Sequence, residues 1–272
     1  MKTLILVDTS YTSYYRFFAT IRWYSYAFKE EFEKVKNDNN YDWINNKVFL
    51  EKYEKMYLDS IIKLVKKKVF INSNIIFCMD TPLEKLWKTE LYNNYKGDRI
   101  DLLLKYNYKS IFNYTYNTII PNIIKSYNYI YKLRINKVEA DDIIAVICMY
   151  DQNQQIYIIS GDNDFLQLGR ENLYFINYKN KKLVSLSKEQ AQIELRNKIL
   201  LGDVSDNIPS IFPKGTRKKE LLASDIKLCE YLNKNPQINK IYELNKQIID
   251  FKYIPKNYSD LIISSLLDLK IL

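Results

Sequence analysis

Residues 3–8 read TLILVD, a run of apolar and β-branched side chains that ends in a carboxylate. A second run at residues 74–80 reads NIIFCMD and also ends in an aspartate. Short apolar runs bounded by polar residues are typical of strands that are buried on both faces of a parallel sheet. Since parallel strands end at the same edge of their sheet, the sequence predicts that Asp8 and Asp80 lie close together there.

Two more strands are predicted at residues 129–133 and 155–160, and an acidic motif follows each of them. Between the predicted strands lie segments of helical character, including the amphipathic residues 49–68 and the basic residues 83–109. Strands that alternate with helices are typical of α/β proteins. The sequence therefore predicts an α/β fold, a three-layer, mostly parallel sheet with helices on both faces.

The chain beyond these strands has a different character. Residues 173–178 and 183–186 form a hairpin-like pair, and a helix with a serine cap is expected over residues 187–200. The remaining residues are helical in pattern, basic and broken by loops. We therefore expect two units, an α/β domain over residues 1–200 and a smaller helical subdomain over residues 201–272.

The composition excludes several classes of chemistry. The 272 residues include no histidine, which rules out a Ser-His-Asp triad and a His-ligated zinc. The cysteines Cys78, Cys148 and Cys229 form no CxxC pair and indicate buried thiols in a reducing compartment. A net charge of +9 favours an anionic partner, and no apolar run approaches the roughly 20 residues of a membrane span. We therefore expect an intracellular protein with no signal peptide and no membrane segment.

Nine acids stand in short motifs after the predicted strands or after the helix at residues 187–200. They are Asp8, Asp80, Glu139, Asp141, Asp142, Asp162, Asp164, Asp203 and Asp206. Gathered in one crevice, these carboxylates would repel one another unless divalent cations compensated their charge, and ligand sets made only of oxygen favour Mg²⁺ or Mn²⁺. Each motif alone is equally explained by helix capping or turn chemistry, so a metal site depends on their convergence.

The order of these motifs resembles that of the flap endonuclease and 5′-3′ exonuclease superfamily, which is PIN-like. The matching elements are Asp8, Asp80, YKGDR at 95–99, VEADD at 138–142, SGDNDF at 160–165, GDVSDNIP at 202–209 and IIDFKYIP at 248–255. The likeness is to the stand-alone phage-type ribonuclease H and 5′-exonuclease members, and it covers the chain to about residue 260. It implies a PIN-like 5′-nuclease fold with a basic helical arch at about residues 83–112. Residues 201–272 would then resemble a reduced helix-three-turn-helix element that binds duplex.

The resemblance implies hydrolysis of phosphodiesters with two Mg²⁺, or with Mn²⁺ in their place. The first metal is expected at Asp8, Asp80, Glu139, Asp141 and Asp142. The second is expected at Asp162, Asp164, Asp203 and Asp206. Lys96 matches the family's active-site lysine, and Lys88, where the family often has arginine, is expected to be a second phosphate clamp. The expected catalytic residues are these two lysines with Asp8, Asp80 and Asp142.

Side chains expected to bind nucleic acid fall into two groups. Those of the arch are Lys85, Tyr95, Arg99 and Lys105, and Tyr95 is expected to stack on an unpaired base. Those of the C-terminal unit are Lys214, Arg217, Lys218 and Lys219, beside a turn that keeps only Gly215 of the family's glycine-rich pattern. Backbone carbonyls of that turn hold K⁺ in some relatives, so the departure puts a K⁺ site in question here.

The leading hypothesis is a divalent-metal-dependent, structure-specific 5′ nuclease that acts as a monomer. Its substrates would be flap DNA or RNA-primed DNA, cut where single strand meets double strand during replication or repair, in the cytoplasm or at a site of viral or cellular DNA replication. Two alternatives stay open. A haloacid-dehalogenase-like phosphatase would also end its first strand in Asp8, but it requires an acid at the position of Ser10. A catalytically silent nucleic-acid-binding scaffold would have no need of mutually repelling carboxylates.

Overall fold

The computed structural model of the protein describes residues 2–97, 108–212 and 224–271. Its strands are β1 (Thr3–Asp8), β2 (Ser73–Cys78), β3 (Ile130–Leu133), β4 (Ile156–Ser160), β5 (Leu173–Asn177) and β6 (Leu183–Val184). They form one sheet in the order β3-β2-β1-β4-β5-β6. The first five of these pair in parallel, and β6 pairs antiparallel with β5. The predicted α/β fold with a mostly parallel sheet is confirmed.

The central strand β1 shows why this sheet is covered on both faces. Leu4 and Leu6 pack into a core on one face, whereas Ile5 and Val7 pack into a second core on the other. All four side chains are fully buried. Because side chains of a strand alternate between faces, a continuous apolar run requires cover on each side, and the three-layer arrangement follows.

Helices supply that cover on both faces. They are α1 (Thr9–Ala27), α2 (Lys29–Val35), α3 (Lys47–Val65), α4 (Lys67–Ile71), α5 (Trp87–Leu91), α6 (Lys109–Tyr114), α7 (Ile120–Ser126), α8 (Ala140–Tyr150), α9 (Lys188–Leu201), α10 (Asp225–Lys234), α11 (Pro236–Ile249) and α12 (Lys256–Asp268). A π-helical turn (Thr115–Ile119) joins α6 to α7, and 3₁₀ turns lie at Trp43–Asn45, Leu83–Lys85, Asn163–Leu168, Val204–Asp206 and Phe251–Tyr253. Within the described residues, no helix is both long enough and apolar enough to cross a bilayer.

The two faces are covered by different parts of the chain. Helices α1 and α3, with the helical run from α6 to α7, pack on the face of Ile5 and Val7. Helices α8 and α12 pack on the face of Leu4 and Leu6. Helix α8 is buried along most of its length, and its first turn lies at the carboxyl edge of the sheet. The acids that precede and begin α8 are therefore carried to that edge.

The predicted helical segment over residues 83–109 is helical only in part within the described residues. A 3₁₀ turn and the five-residue helix α5 form there and α6 begins at Lys109, but residues 93–97 are turns. Lys96 has a φ of 56°, which a right-handed helix does not allow. The centre of the predicted arch, residues 98–107, lies outside the described residues.

The C-terminal residues pack in two places. Leu200, Phe212, Leu228 and Leu232 form a small core that joins the end of α9 to α10. Helix α12, in contrast, contributes buried residues to the core of the main sheet. The division of the chain at residues 1–200 and 201–272 stays a prediction. Residues 213–223, which include most of the turn expected to bind duplex, lie outside the described residues.

A tight loop after α9 depends on a glycine. Gly202 has a φ of 71°, and Asp203 exchanges backbone hydrogen bonds with Ile208 at 2.9 and 2.8 Å. The buried Asn245 side chain of α11 donates to the carbonyls of Ile199, at 3.0 Å, and of Pro209, at 2.8 Å. The loop that carries Asp203 is thus fixed by backbone pairing and by a side chain from a separate helix.

Gly202→Ala is expected to lower the free energy of unfolding by at least about 2 kcal/mol, because a side chain at this φ is strained and has no space. Its Cβ would lie 2.3 Å from the Ile208 carbonyl oxygen and 2.5 Å from the Pro209 carbonyl carbon. Chemical denaturation measures the change. Leu201→Ala, at the exposed neighbouring position, is the matched control. Equal stability of the two variants would contradict the account of this loop.

Candidate active site

The carboxyl ends of β1, β2 and β4 bring their acids to one edge of the sheet. Asp8 accepts hydrogen bonds from the Tyr11 amide, at 3.0 Å to Oδ1, and from the Ser160 hydroxyl, at 2.7 Å to Oδ2. Asp80 Oδ1 accepts from the Ala140 amide at 2.6 Å, which ties the end of β2 to the start of α8. The prediction that Asp8 and Asp80 meet at this edge agrees with these positions.

Four carboxylates at this edge interact electrostatically, and we call them the strand-end group: Asp8, Asp80, Asp141 and Asp162. Burial raises the pKa of Asp8 to about 7, and the charges of Asp80 and Asp162 add to the shift. Burial also raises the pKa values of Asp80 and Asp141. A carboxyl pKa raised by burial means that the ionised form is less stable here than in water, and a bound cation would restore that stability.

A second set of acids, which we call the loop group, comprises Asp164, Asp203 and Asp206. Each of the three offers one carboxylate oxygen, and these oxygens all lie within 4.8 Å of one another, as a metal site requires. Among the described residues, this is the set of acids that meets that condition. Asp162 Oδ1 accepts the Asp164 amide at 2.8 Å, so the first turn after β4 links the two groups. A donor set made only of carboxylate oxygens fits a hard divalent cation.

Lys198, in the last turn of α9, was not found by sequence reasoning. Its Nζ lies 2.8 Å from Asp203 Oδ2 and also contacts Asp164 Oδ1. Burial raises the pKa of Asp203, but hydrogen bonds from Lys198 and Ser205 outweigh it and bring that pKa to about 2. A lysine near the end of a helix is common because it complements the helix dipole, so the sequence carried no separate signal for this contact.

Glu139 is held by three donors from the segment that follows β2. Lys88 Nζ and the Tyr95 hydroxyl donate to Oε2, each at 2.9 Å, and Lys96 Nζ donates to Oε1 at 2.5 Å. Glu139 is only 3% exposed. Burial alone would raise its pKa, yet Lys88 and Lys96 hold that pKa well below its usual range. Lys96 Nζ also lies 3.9 Å from Asp206 Oδ2, so one ammonium joins Glu139 to the loop group.

The structure corrects the prediction for Asp142. This residue is 0% exposed, and Trp87 Nε1 donates to its Oδ2 at 2.8 Å. Lys88 Nζ lies 2.8 Å from its Oδ1. Since both oxygens are occupied by buried partners from α5, Asp142 is an internal counter-charge rather than the metal ligand and catalytic residue that the sequence suggested.

The phosphate-clamp prediction for Lys88 is corrected for the same reason. Lys88 is 4% exposed and forms ion pairs with Glu139 and Asp142. Burial lowers its pKa, but the two carboxylates outweigh burial and raise it. Both of its partners are themselves buried, so moving the Lys88 ammonium to a phosphate would leave Asp142 without its counter-charge.

Tyr95 also differs from its prediction. Its ring is 4% exposed and its hydroxyl is bound to Glu139, so it offers no face to an unpaired base. Lys85 is exposed, as nucleic-acid binding requires, and its role stays a prediction. The other residues expected to bind nucleic acid lie outside the described residues: Arg99, Lys105, Lys214, Arg217, Lys218 and Lys219.

Position 10 argues against the phosphatase alternative. Ser10 Oγ lies 2.6 Å from the hydroxyl of Tyr116, which is in the π-helical turn between α6 and α7. A phosphatase of the haloacid dehalogenase type would place its second acid here. In the structure, this position holds a serine whose hydroxyl forms a hydrogen bond beside Asp80.

Comparison with known proteins decides the family. Residues 3–196 match the family model of the 5′-3′ exonuclease N-terminal resolvase-like domain. The chain belongs to this 5′-3′ exonuclease family. This match confirms the predicted family. It also confirms the predicted function in its general form, a metal-dependent 5′ nuclease.

Sequence relatives and a solved structure are similar to this chain. The chain is 28% identical to the ribonuclease H of Enterobacteria phage T4 over 213 residues, which cover 71% of this chain and 69% of the relative. It is 28% identical to a 5′-3′ exonuclease of Buchnera aphidicola over 180 residues, 62% of this chain and 58% of the relative. The structure of the T5 D15 protein co-crystallised with metal ions gives a TM-score of 0.67 at 15% identity, covering 98% of this chain and 99% of that one. The likeness to T5 D15 confirms the predicted PIN-like fold.

Lys88→Met is expected to lower the free energy of unfolding by about 3–5 kcal/mol, because it leaves the buried carboxylates of Glu139 and Asp142 without their counter-charge. Urea unfolding in EDTA measures the loss. Lys85→Met, at an exposed position three residues earlier, is the control and should change stability by less than about 0.5 kcal/mol. If Lys88→Met is as stable as the control and loses only cleavage, the phosphate-clamp role is restored.

Asp8→Asn is expected to raise the melting temperature in EDTA, and the gain should depend on pH. Because folding raises the pKa of Asp8 from 3.8 to about 7, the protein loses stability as the pH rises through this interval. Asparagine is never ionised and can still accept from the Tyr11 amide and donate to Ser160 Oγ. The gain should therefore be absent near pH 4 and reach a few kcal/mol above pH 7, at about 1.4 kcal/mol for each pKa unit.

Melting curves of wild type and Asp8→Asn across this pH interval provide the measurement. A divalent cation should stabilise the wild type more than the variant, since the variant lacks one ligand charge. A difference between the two proteins that stays constant with pH would show that Asp8 is not the group that carries the repulsion.

Proposed function

We propose that the protein is a structure-specific 5′ nuclease that uses two Mg²⁺ to hydrolyse phosphodiester bonds where single-stranded and double-stranded nucleic acid meet. The observation that carries the proposal is the convergence of the strand-end group and the loop group at one edge of the sheet. Lys96 lies between Glu139 and Asp206 at that edge. Mn²⁺ is the alternative cation, because it accepts the same oxygen ligands.

The described carboxylates divide naturally between two cations. Asp8, Asp80, Asp141 and Asp162 would hold the first, and Asp164, Asp203 and Asp206 would hold the second. The sequence placed Asp162 at the second cation, and we move it to the first because its charge acts on Asp8 and Asp141. Glu139, which the sequence placed among the ligands of the first cation, would instead orient that site, because both of its oxygens accept hydrogen bonds from Lys88, Tyr95 and Lys96. When bound, two such cations supply an activated water and stabilise the charge of the attacking and leaving oxygens. With no histidine in the chain, the proton acceptors at this edge are carboxylates and water.

Lys96 is the residue we assign to the scissile phosphate. Its amide donates to the Asp206 carbonyl at 3.0 Å, so the turn that carries it is fixed against the loop group. The ammonium stands among carboxylates that would hold cations. In that position it would neutralise charge that builds on a phosphate, as pre-placed cations do in phosphoryl chemistry. Lys88 and Asp142 are buried beneath this site, where they would hold Glu139 and α5 in place.

Nucleic acid is the proposed substrate, in the form of flap DNA or RNA-primed DNA. A net charge of +9 favours a polyanion, and exposed Lys85 lies just before α5. The T4 relative is named a ribonuclease H, and a T5 D15 flap endonuclease structure that shares this fold is a complex with DNA and metal ions. Together these support a role in replication or repair, with the protein acting as a monomer. We further propose that Arg99, Lys105, Lys214, Arg217, Lys218 and Lys219 bind phosphates.

A substrate panel tests the function directly. End-labelled 5′ flap, 3′ flap, nicked duplex and RNA-primed hybrid are incubated with Mg²⁺ and, separately, with EDTA. We expect cleavage of the 5′ flap or the RNA-primed hybrid near the junction, no cleavage of the 3′ flap, and no product in EDTA. Efficient cleavage in EDTA, or of the 3′ flap alone, would contradict the proposal.

Asp141→Asn is expected to reduce single-turnover cleavage at least a thousandfold, or about 4 kcal/mol of activation free energy, because it removes a ligand charge from the strand-end group. Binding of the same substrate in EDTA should be unchanged or tighter, since repulsion of phosphate is reduced. Asp260→Asn, an exposed change on α12, is the control and should cleave like wild type. Unimpaired turnover by Asp141→Asn would remove the metal mechanism.

A further inference from the structure

Lys198 brings a positive charge of the protein itself into the loop group. Its ammonium reaches Asp203 Oδ2 at 2.8 Å and also contacts Asp164 Oδ1. Asp206, the third member, lies close enough that one ion could contact all three acids. The lysine therefore binds two of the three carboxylates that a second divalent cation would need.

Among the described residues, the strand-end group has no directly paired ammonium of this kind. In the part of the chain that the structure describes, no lysine or arginine forms an ion pair with Asp8, Asp80, Asp141 or Asp162. The nearby ammonium groups of Lys88 and Lys96 are instead paired with Glu139. Lys96 still lowers the pKa values of Asp80 and Asp141 through its charge. Among the described residues, the two groups thus differ because an ammonium pairs directly with carboxylates of the loop group but with none of the strand-end group.

We propose that Lys198 is a built-in competitor of the second cation. The inference rests on the proposed two-cation function. It states that the first cation binds the strand-end group tightly, and that the second binds the loop group weakly because it must displace the Lys198 ammonium from Asp164 and Asp203. Lys198 is then a positioning residue, which keeps the loop group assembled and sets the affinity of its cation.

The side chain is suited to such an exchange. Lys198 is 20% exposed at its side chain, so its ammonium can swing into solvent without opening the core. Lysine carries its charge on a flexible four-carbon stem, and its point charge requires no fixed planar geometry. The alternative is that Lys198 only complements the dipole of α9, and in that case its removal would leave cation binding unchanged.

Mn²⁺ binding without nucleic acid tests the proposal, with free Mn²⁺ measured by electron paramagnetic resonance. We expect wild type to show a tight and a weak site, and Lys198→Met to tighten the weak site by at least about tenfold, because a unit charge a few ångströms from the ion is removed. The tight site should stay within about twofold. Lys198→Arg keeps the charge and should resemble wild type, as should Lys188→Met, an exposed change in the first turn of α9.

A second readout separates competition from general structural damage. In EDTA, Lys198→Met should melt below wild type, because Asp164 and Asp203 lose their counter-charge, and saturating Mn²⁺ should close that gap. If Lys198→Met does not fold, Lys198→Gln keeps a hydrogen-bond donor without the charge and provides the same test. A weak site that is unchanged or weaker in both uncharged variants overturns the proposal. So does a wild type with one Mn²⁺ site to which neither uncharged variant adds a second.

Failure of this inference is distinguishable from failure of the proposed function. If the substrate panel shows Mg²⁺-dependent cleavage but Lys198→Met leaves the weak site unchanged, the competitor role falls and the nuclease stands. If the Mn²⁺ pattern is as expected but no substrate is cleaved, the assigned reaction falls and the competition between Lys198 and cation stands.

Discussion

Repulsion between carboxylates gathered at one edge of the sheet is the constraint on which the arrangement of this protein depends. Asp8, Asp80 and Asp141 are close enough, and dry enough, that burial raises all three pKa values. Acids in such a place persist only where donors fix their oxygens and positive charge is at hand. For Asp8, the Tyr11 amide and the Ser160 hydroxyl donate hydrogen bonds to the carboxylate oxygens, and bound cations would supply the positive charge.

Glu139 shows how the fold meets the same constraint with its own side chains. Lys88, Tyr95 and Lys96 all donate to this one carboxylate, and Lys88 extends the network to Asp142. These contacts dock the short segment after β2 against the start of α8. They also bring Lys96 to the edge of the sheet, so the interactions that stabilise the fold also position the ammonium that we propose to act on the scissile phosphate.

The loop group is held in a different way, mainly by the backbone. Gly202 turns the chain at the end of α9, and Asp203 pairs with Ile208 to close the loop. Asn245 then anchors that loop to α11 through two carbonyls. Lys198 is paired with Asp203 in this group, whereas no described lysine or arginine forms an ion pair with the strand-end group. This difference is the physical basis for the unequal cation affinities that we propose.

Much of the architecture could be predicted because it depends on patterns among residues that are close in sequence. The apolar run of β1, the acids that end β1 and follow β2, and the serine cap of α9 are properties of neighbouring residues, and all are present in the structure. The motif order also sufficed to indicate the family. The helical character of residues 83–97 was overestimated, since a basic, tyrosine-rich composition resembles helix in sequence whereas residues 93–97 form turns.

The sequence by itself thus determined the α/β class and the edge where the acids meet, because strand periodicity and strand ends are local. Only the tertiary structure decided which acids interact with one another at that edge. Asp141 and Asp142 are adjacent, yet the first interacts with Asp8 and the second is bound by Trp87 and Lys88. Likewise, no local pattern distinguishes the buried Lys88 from the exposed Lys85, or marks Lys198 as the partner of Asp203. Charge pairing depends on distances between segments far apart in the chain, and packing alone sets those distances.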